Sequence, residues 1–177
     1  MNSEQAVEPV VDLITEVLAG MCHYPGSLRI EVDEHGQSWP KINIFPHAAD
    51  RPIIIGPGGR TIQGLQSIGA KLGFQIQLYD PIEGEREPMR PFRRDPNFDV
   101  EAFTALCERF GKLLWPPGVS ITHEYEQRPG KDDRMVLRFS VPSYDLGALA
   151  LLTNLESFLF PYAKAKGETI KFSPFKK

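Results

Sequence analysis

Residues 51 to 65 read RPIIIGPGGRTIQGL, and the stretch Gly56-Pro57-Gly58-Gly59-Arg60 within them has the residue types and spacing to hold a ligand. Glycines leave the backbone without Cβ atoms, so another group can approach it closely. A turn that leads straight into a helix start points backbone N–H groups outward, and the helix dipole adds partial positive charge there. That combination suits an anion such as a phosphate. Arg60 adds a full charge, and Arg51 and Lys71 lie near enough in sequence to join it. Two other phosphate motifs fail on spacing: GxxxxGK[ST] is absent, and GxGxxG would need a glycine where Thr61 stands. What fits is I-G-x-x-G-x-x-I, running from Ile55 through Gly56 and Gly59 to Ile62.

No second chemistry competes with it. His23, His35, His47 and His123 are scattered singly, and no Ser-His-Asp, Cys-His or paired-carboxylate spacing is recognisable. Cys22 and Cys107 fall in helical patterns without metal-ligand spacing and read as buried free thiols of a reduced cytoplasm. The expectation is a non-catalytic protein without cofactor or metal. Asp132-Asp133 sits in a hairpin turn and needs no catalytic role.

The elements that position the turn follow from periodicity. Val10, Leu13, Ile14, Val17, Leu18 and Met21 recur at helical spacing, which predicts a helix near 8–22 ended by Pro25-Gly26. Leu28, Ile30 and Val32 alternate with polar residues as a strand, and Ile42 and Ile44 do so after the turn DEHGQS. Asp50 is placed to cap a short helix carrying Pro52 in its first positions. Beyond the glycine turn, Ile62, Leu65, Ile68 and Leu72 line one helix face, and Gly73 stands at its C-terminal cap. Gly64 and Gly69 inside that helix each cost about 1 kcal/mol relative to alanine, which implies a close backbone neighbour or a ligand. Phe74, Ile76 and Leu78 form the third strand. The order is α-β-β-α-α-β.

The second half repeats the pattern. Val100, Phe103, Leu106, Cys107, Phe110, Leu113 and Leu114 make a helix ended by WPPG, as HYPG ends the first. Val119 and Ile121 open a strand, Leu137 and Phe139 stand where Ile42 and Ile44 stood, and Ile170 and Phe172 answer Ile76 and Leu78. Asp145 and Gly167 answer Asp50 and Gly73. Internal duplication outranks any single motif as a fold signal. At the corresponding offset, Gly56-Pro57-Gly58-Gly59 becomes Leu151-Leu152-Thr153-Asn154. If glycines served only helix-turn-helix geometry, the second copy should need them too, so their loss implies a role beyond folding.

The glycine string within the α-β-β-α-α-β order resembles the K-homology (KH) domain in its bacterial, type II topology, above all the small stand-alone bacterial KH proteins associated with RNA binding and with control of cell elongation and division. The likeness covers residues 8–81, including IIIGPGGRTIQGLQ and GFQIQLYD, and extends in outline to a degenerate second unit. It implies an α+β fold of two tandem KH-like (α-β-β-α-α-β) units, each a three-stranded mixed sheet with helices on one face. A right-handed crossover would set the last two strands of each unit parallel. The units would occupy residues 1–81 and 99–177, with a Pro/Arg-rich connector at 82–98. In KH domains the GxxG loop clamps the backbone of about four single-stranded nucleotides beside an apolar groove. Carried over, Gly56, Pro57, Gly58 and Gly59 form the clamp, Ile55 and Ile62 flank the groove, and Arg60 contacts phosphate. Arg51 stands nearby as a further basic contact. The implied partner is single-stranded RNA, in post-transcriptional regulation, with a second KH protein or self-association as a further contact.

Composition bounds this reading. The chain has 177 residues, is 41% hydrophobic and 24% charged, and carries a net charge of −3, as an ordinary globular protein does. No run of about 18 uncharged apolar residues occurs, and the acidic start MNSEQAVEPVVD does not read as a secretory signal, so a cytoplasmic, membrane-free protein is expected. Residues 1–81 hold five Lys/Arg against nine Asp/Glu, and the family's usual basic residue in the loop is replaced by Pro57-Gly58. This favours weak RNA binding with a shallow salt dependence. It also leaves a rival from another class, a scaffold module whose KH-like face binds a protein. The connector arginines Arg86, Arg90, Arg93 and Arg94 read as partners of Glu83, Glu85, Glu87 and Asp95. Trp39 and Trp115 read as packing anchors, and the tail SPFKK as a solvated end.

Overall fold

A computed structural model describes residues 4–34, 39–80, 98–116 and 118–175. The connector, with its arginines and acids, lies outside the described residues apart from Phe98. The first half runs α1 (Glu4–Met21), β1 (Arg29–Asp33), β2 (Lys41–Phe45), α2 (Arg51–Ile55), α3 (Arg60–Leu72) and β3 (Gln75–Leu78). The second runs α4 (Val100–Leu114), β4 (Ser120–Glu126), β5 (Arg134–Ser140), α5 (Leu146–Ala165) and β6 (Ile170–Pro174). Helix α1 begins earlier than predicted because its apolar period extends back through buried Val10 and Val7. At the other end of the chain, Ser173 and Pro174 close strand β6, so the tail is only partly a free end.

The fold is α+β, with two three-stranded mixed sheets ordered β1-β2-β3 and β4-β5-β6. In each, the first two strands are antiparallel and the last two parallel, as a helical crossover between them requires. Alternation places Ile42, Ile44 and Ile76 of the first sheet, and Met135, Leu137, Phe139, Ile170 and Phe172 of the second, in one buried cluster with the helices. That cluster runs unbroken through both halves, which meet chiefly where α3 packs on α5.

Two expectations about the repeat fail. No turn interrupts the second half at 151–154, because α5 is one helix of 20 residues. Its order is therefore α-β-β-α-β. Leu151, Leu152 and Asn154 take ordinary helical places there, whereas Gly56, Gly58 and Gly59 have φ of +72°, +60° and +76°. The glycines are thus present where the chain breaks and absent where it does not, so their asymmetry is accounted for by backbone geometry. The strand correspondence also slips by two residues. Ile42 faces Ile76 in the first sheet, but Leu137 faces Phe172 and Met135 faces Ile170 in the second. Helix α5 has the length and apolar composition of a membrane span, and it is the only such helix among the described residues. Its Leu151, Leu152, Leu155, Phe158 and Leu159 are buried in this core.

Candidate functional site

The short helix that leads into the glycine turn is anchored by a buried carboxylate at its N-terminus. Asp50 is fully buried, and its two oxygens accept the backbone N–H groups of His23 (2.7 Å) and Tyr24 (2.8 Å) just beyond α1. Its side chain makes no bond to the start of α2, contrary to the capping role expected. The α2 start is instead served by the Asp50 carbonyl, which accepts Ile53 N–H at 2.9 Å and Ile54 N–H at 3.1 Å. Asp50 therefore ties the exit of α1 to the entry of α2, and the Tyr24–His47 ring stack at 4.0 Å packs the same junction. Asp145, its counterpart, does cap its helix by accepting Ala148 N–H at 2.8 Å.

From this clamp α2 runs five residues and stops at Gly56, whose N–H donates to the Pro52 carbonyl at 2.9 Å. A Cβ on Gly56 would stand 2.1 Å from the buried Thr61 hydroxyl, so no other residue fits. Gly59 N–H donates to the Gly56 carbonyl at 3.1 Å, and Arg60 N–H to that of Pro57. The expected row of outward amides is thus reduced. Pro57 has none, Gly56 and Gly59 use theirs to close the turn, and the Gly58 N–H alone donates to no described residue. Around Gly58 the space is open: a Cβ there would meet nothing within 4 Å.

The other predicted residues divide. Pro57, Gly58 and Arg60 are exposed together, and Arg60 makes no ion pair with any described residue. Ile55 and Ile62 are half-buried beside them, while Ile54 is the fully buried member of the isoleucine run. Arg51 is otherwise engaged: its guanidinium lies 3.6 Å from Asp80, and its Nε is buried without a hydrogen-bond partner. Lys71 lies eleven residues along α3, about 16 Å from the turn, and does not join it. The glycines inside α3 are explained by packing. Gly64 faces the backbone of α5, and Gly69 faces Ile76 and the Phe74 carbonyl. Trp115 is buried as expected, but Trp39 is 52% exposed and lies outside the core cluster.

Elsewhere, burial first and then neighbouring Glu108 push the Cys107 thiol well above its ordinary range. No group of three or more His, Cys, Asp or Glu among the described residues is arranged to hold a metal ion. Neither the models of known protein families nor the curated proteins include a match to this chain.

Proposed function

We propose that the first half binds single-stranded RNA in the manner of a KH unit, gripping backbone phosphate at the Gly56–Gly59 turn. The observation that carries this reading is the left-handed Gly58-Gly59 backbone, exposed at Gly58 with a donor there, beside the uncommitted guanidinium of Arg60. A phosphate oxygen facing Gly58 N–H meets no side chain in its way, and Arg60 supplies the charge. The site is small, with one amide and one full positive charge. On this reading, the second half supports the first through the α3–α5 contact and takes no part in RNA binding.

Two observations favour the scaffold reading instead: the acidic balance of residues 1–81 and the internal use of the Gly56 and Gly59 amides. The experiment that separates them is fluorescence anisotropy of a labelled single-stranded RNA of about twelve nucleotides. A shallow salt slope of about −0.7 is expected, because Arg60 neutralises a single phosphate at roughly 0.7 per contact. Arg60→Glu should weaken binding and remove nearly all of that slope, about 0.7. Arg60→Glu bound as tightly as the native chain, with the same slope, would refute phosphate contact at the turn.

A further inference from the structure

The outer face of the first sheet carries a row of side chains that neither the core nor the glycine turn uses. Arg29 of β1 is paired with Phe45 of β2. Tyr79 continues β3 by donating its N–H to the Ile44 carbonyl at 2.9 Å, which brings it alongside Phe45. The Phe45 and Tyr79 rings stack with centroids 4.8 Å apart and planes 17° from parallel. The Arg29 guanidinium lies 4.9 Å from the Phe45 centroid and is paired with Glu31 at 3.0 Å. On the other side, the Tyr79 hydroxyl donates to Gln77 Oε1 at 2.6 Å. The result is a three-layer stack of guanidinium, phenyl and phenol, held at both ends.

The stack finishes at an edge. Among the described residues β3 has no strand beyond it, and Tyr79 is 39% exposed. It also finishes at the right end of the sheet. β2 and β3 are parallel, so Phe45 and Tyr79 both stand at their carboxyl ends, where α2 begins. Arg51 at the start of α2 reaches Asp80, the residue after Tyr79, and Gly56 follows about 7.5 Å along α2.

We propose that Tyr79, backed by Phe45 and Arg29, is a stacking platform for one base of the RNA strand whose phosphates lie at the glycine turn. Single-stranded nucleic acid is commonly held in this way, with charge tracking the backbone and an aromatic ring taking a base. The inference rests on the RNA reading above and adds to it the base contact that the turn itself lacks.

The test uses the full chain, the same labelled twelve-nucleotide RNA and an abasic oligonucleotide of equal length. Tyr79→Ala should weaken RNA binding by roughly 5- to 150-fold, the range for one stacked base. Tyr79→Phe should stay within about twofold of native. The salt slope should not change in Tyr79→Ala, because stacking releases no counterions. The abasic strand should bind the native chain weakly and lose nothing further with Tyr79→Ala. Should Gly58→Asp with Gly59→Asp abolish binding while Tyr79→Ala matches native, the platform is refuted and the turn stands. Equal weakening of RNA and abasic strand by Tyr79→Ala also refutes it, the ring then acting on the fold alone. No RNA binding by the native chain refutes both.

Discussion

Gly64 of α3 lies so close to α5 that a Cβ built on it would stand 2.5 Å from the Asn154 carbonyl oxygen and 3.3 Å from the Phe158 nitrogen. This is where the two halves meet backbone to backbone. Gly64→Ala gains helix propensity of about 1 kcal/mol. It must also push two helix backbones apart, and a backbone has no rotamer with which to yield. Overpacking of this kind costs about 1–3 kcal/mol, and the clash should win. Calorimetry should show a lower Tm for Gly64→Ala; an unchanged or raised Tm would mean that the halves are less tightly docked.

Asp50 should be the most sensitive polar residue of the first half. Asp50→Ala takes the carboxylate acceptor from the half-buried N–H groups of His23 and Tyr24, at up to about 1–3 kcal/mol for each group left unsatisfied. Asp50→Asn keeps one acceptor oxygen and turns an amide N–H₂ toward the other donor, so it too should destabilise, by less. Urea unfolding measures both. Loss no greater in Asp50→Ala than in Asp50→Asn would contradict the clamp.

Asp145 gives a pH signature. The Ser143 hydroxyl, and next the Ala148 amide, hold its carboxyl below the ordinary value of 3.8. A carboxylate depressed in the folded state stabilises at pH above its unfolded value, and that contribution fades as pH falls through the folded one. Native protein should therefore melt above Asp145→Asn at neutral pH. The gap should close as the pH falls through 3.8 and below. A gap that stays constant would place the difference elsewhere.

Cys107 should resist modification. The thiolate is the reactive form, and burial disfavours it. Iodoacetamide at pH 8 should label Cys107 slowly in the native chain and rapidly in denaturant; fast native labelling would show that the interior beside Phe103 and Phe110 opens readily.

The periodic parts of the fold were legible in the sequence. Alternation at Ile42, Ile44 and Ile76 marks strands because one face of each is buried, and Gly73 marks a helix end because its φ is +84°. What could not be read came from relationships that local pattern does not contain. The partners of Asp50 lie 26 and 27 residues earlier in the chain, so local capping logic assigned it the wrong donors. The continuity of α5 was hidden by the expectation of a duplication, which carried the first half's break onto Leu151–Asn154, residues with no reason to break. The number of outward amides was overestimated because a turn closed by its own hydrogen bonds uses the donors that an open turn would offer. Tyr79 showed only an unremarkable strand-end aromatic; its stack on Phe45 depends on which strands are neighbours.

The central claim is that the turn at Gly58-Gly59 holds an RNA backbone. Ultraviolet cross-linking in cells, followed by recovery of bound RNA, tests it most directly. Native chain would be compared with Gly58→Asp plus Gly59→Asp, and with Gly58→Asn plus Gly59→Asn as the uncharged control for the positive φ. Asparagine should retain most of the recovered RNA, whereas paired aspartates should lose it by repelling phosphate from a turn that stays folded. Equal recovery from native and aspartate chains would contradict the account.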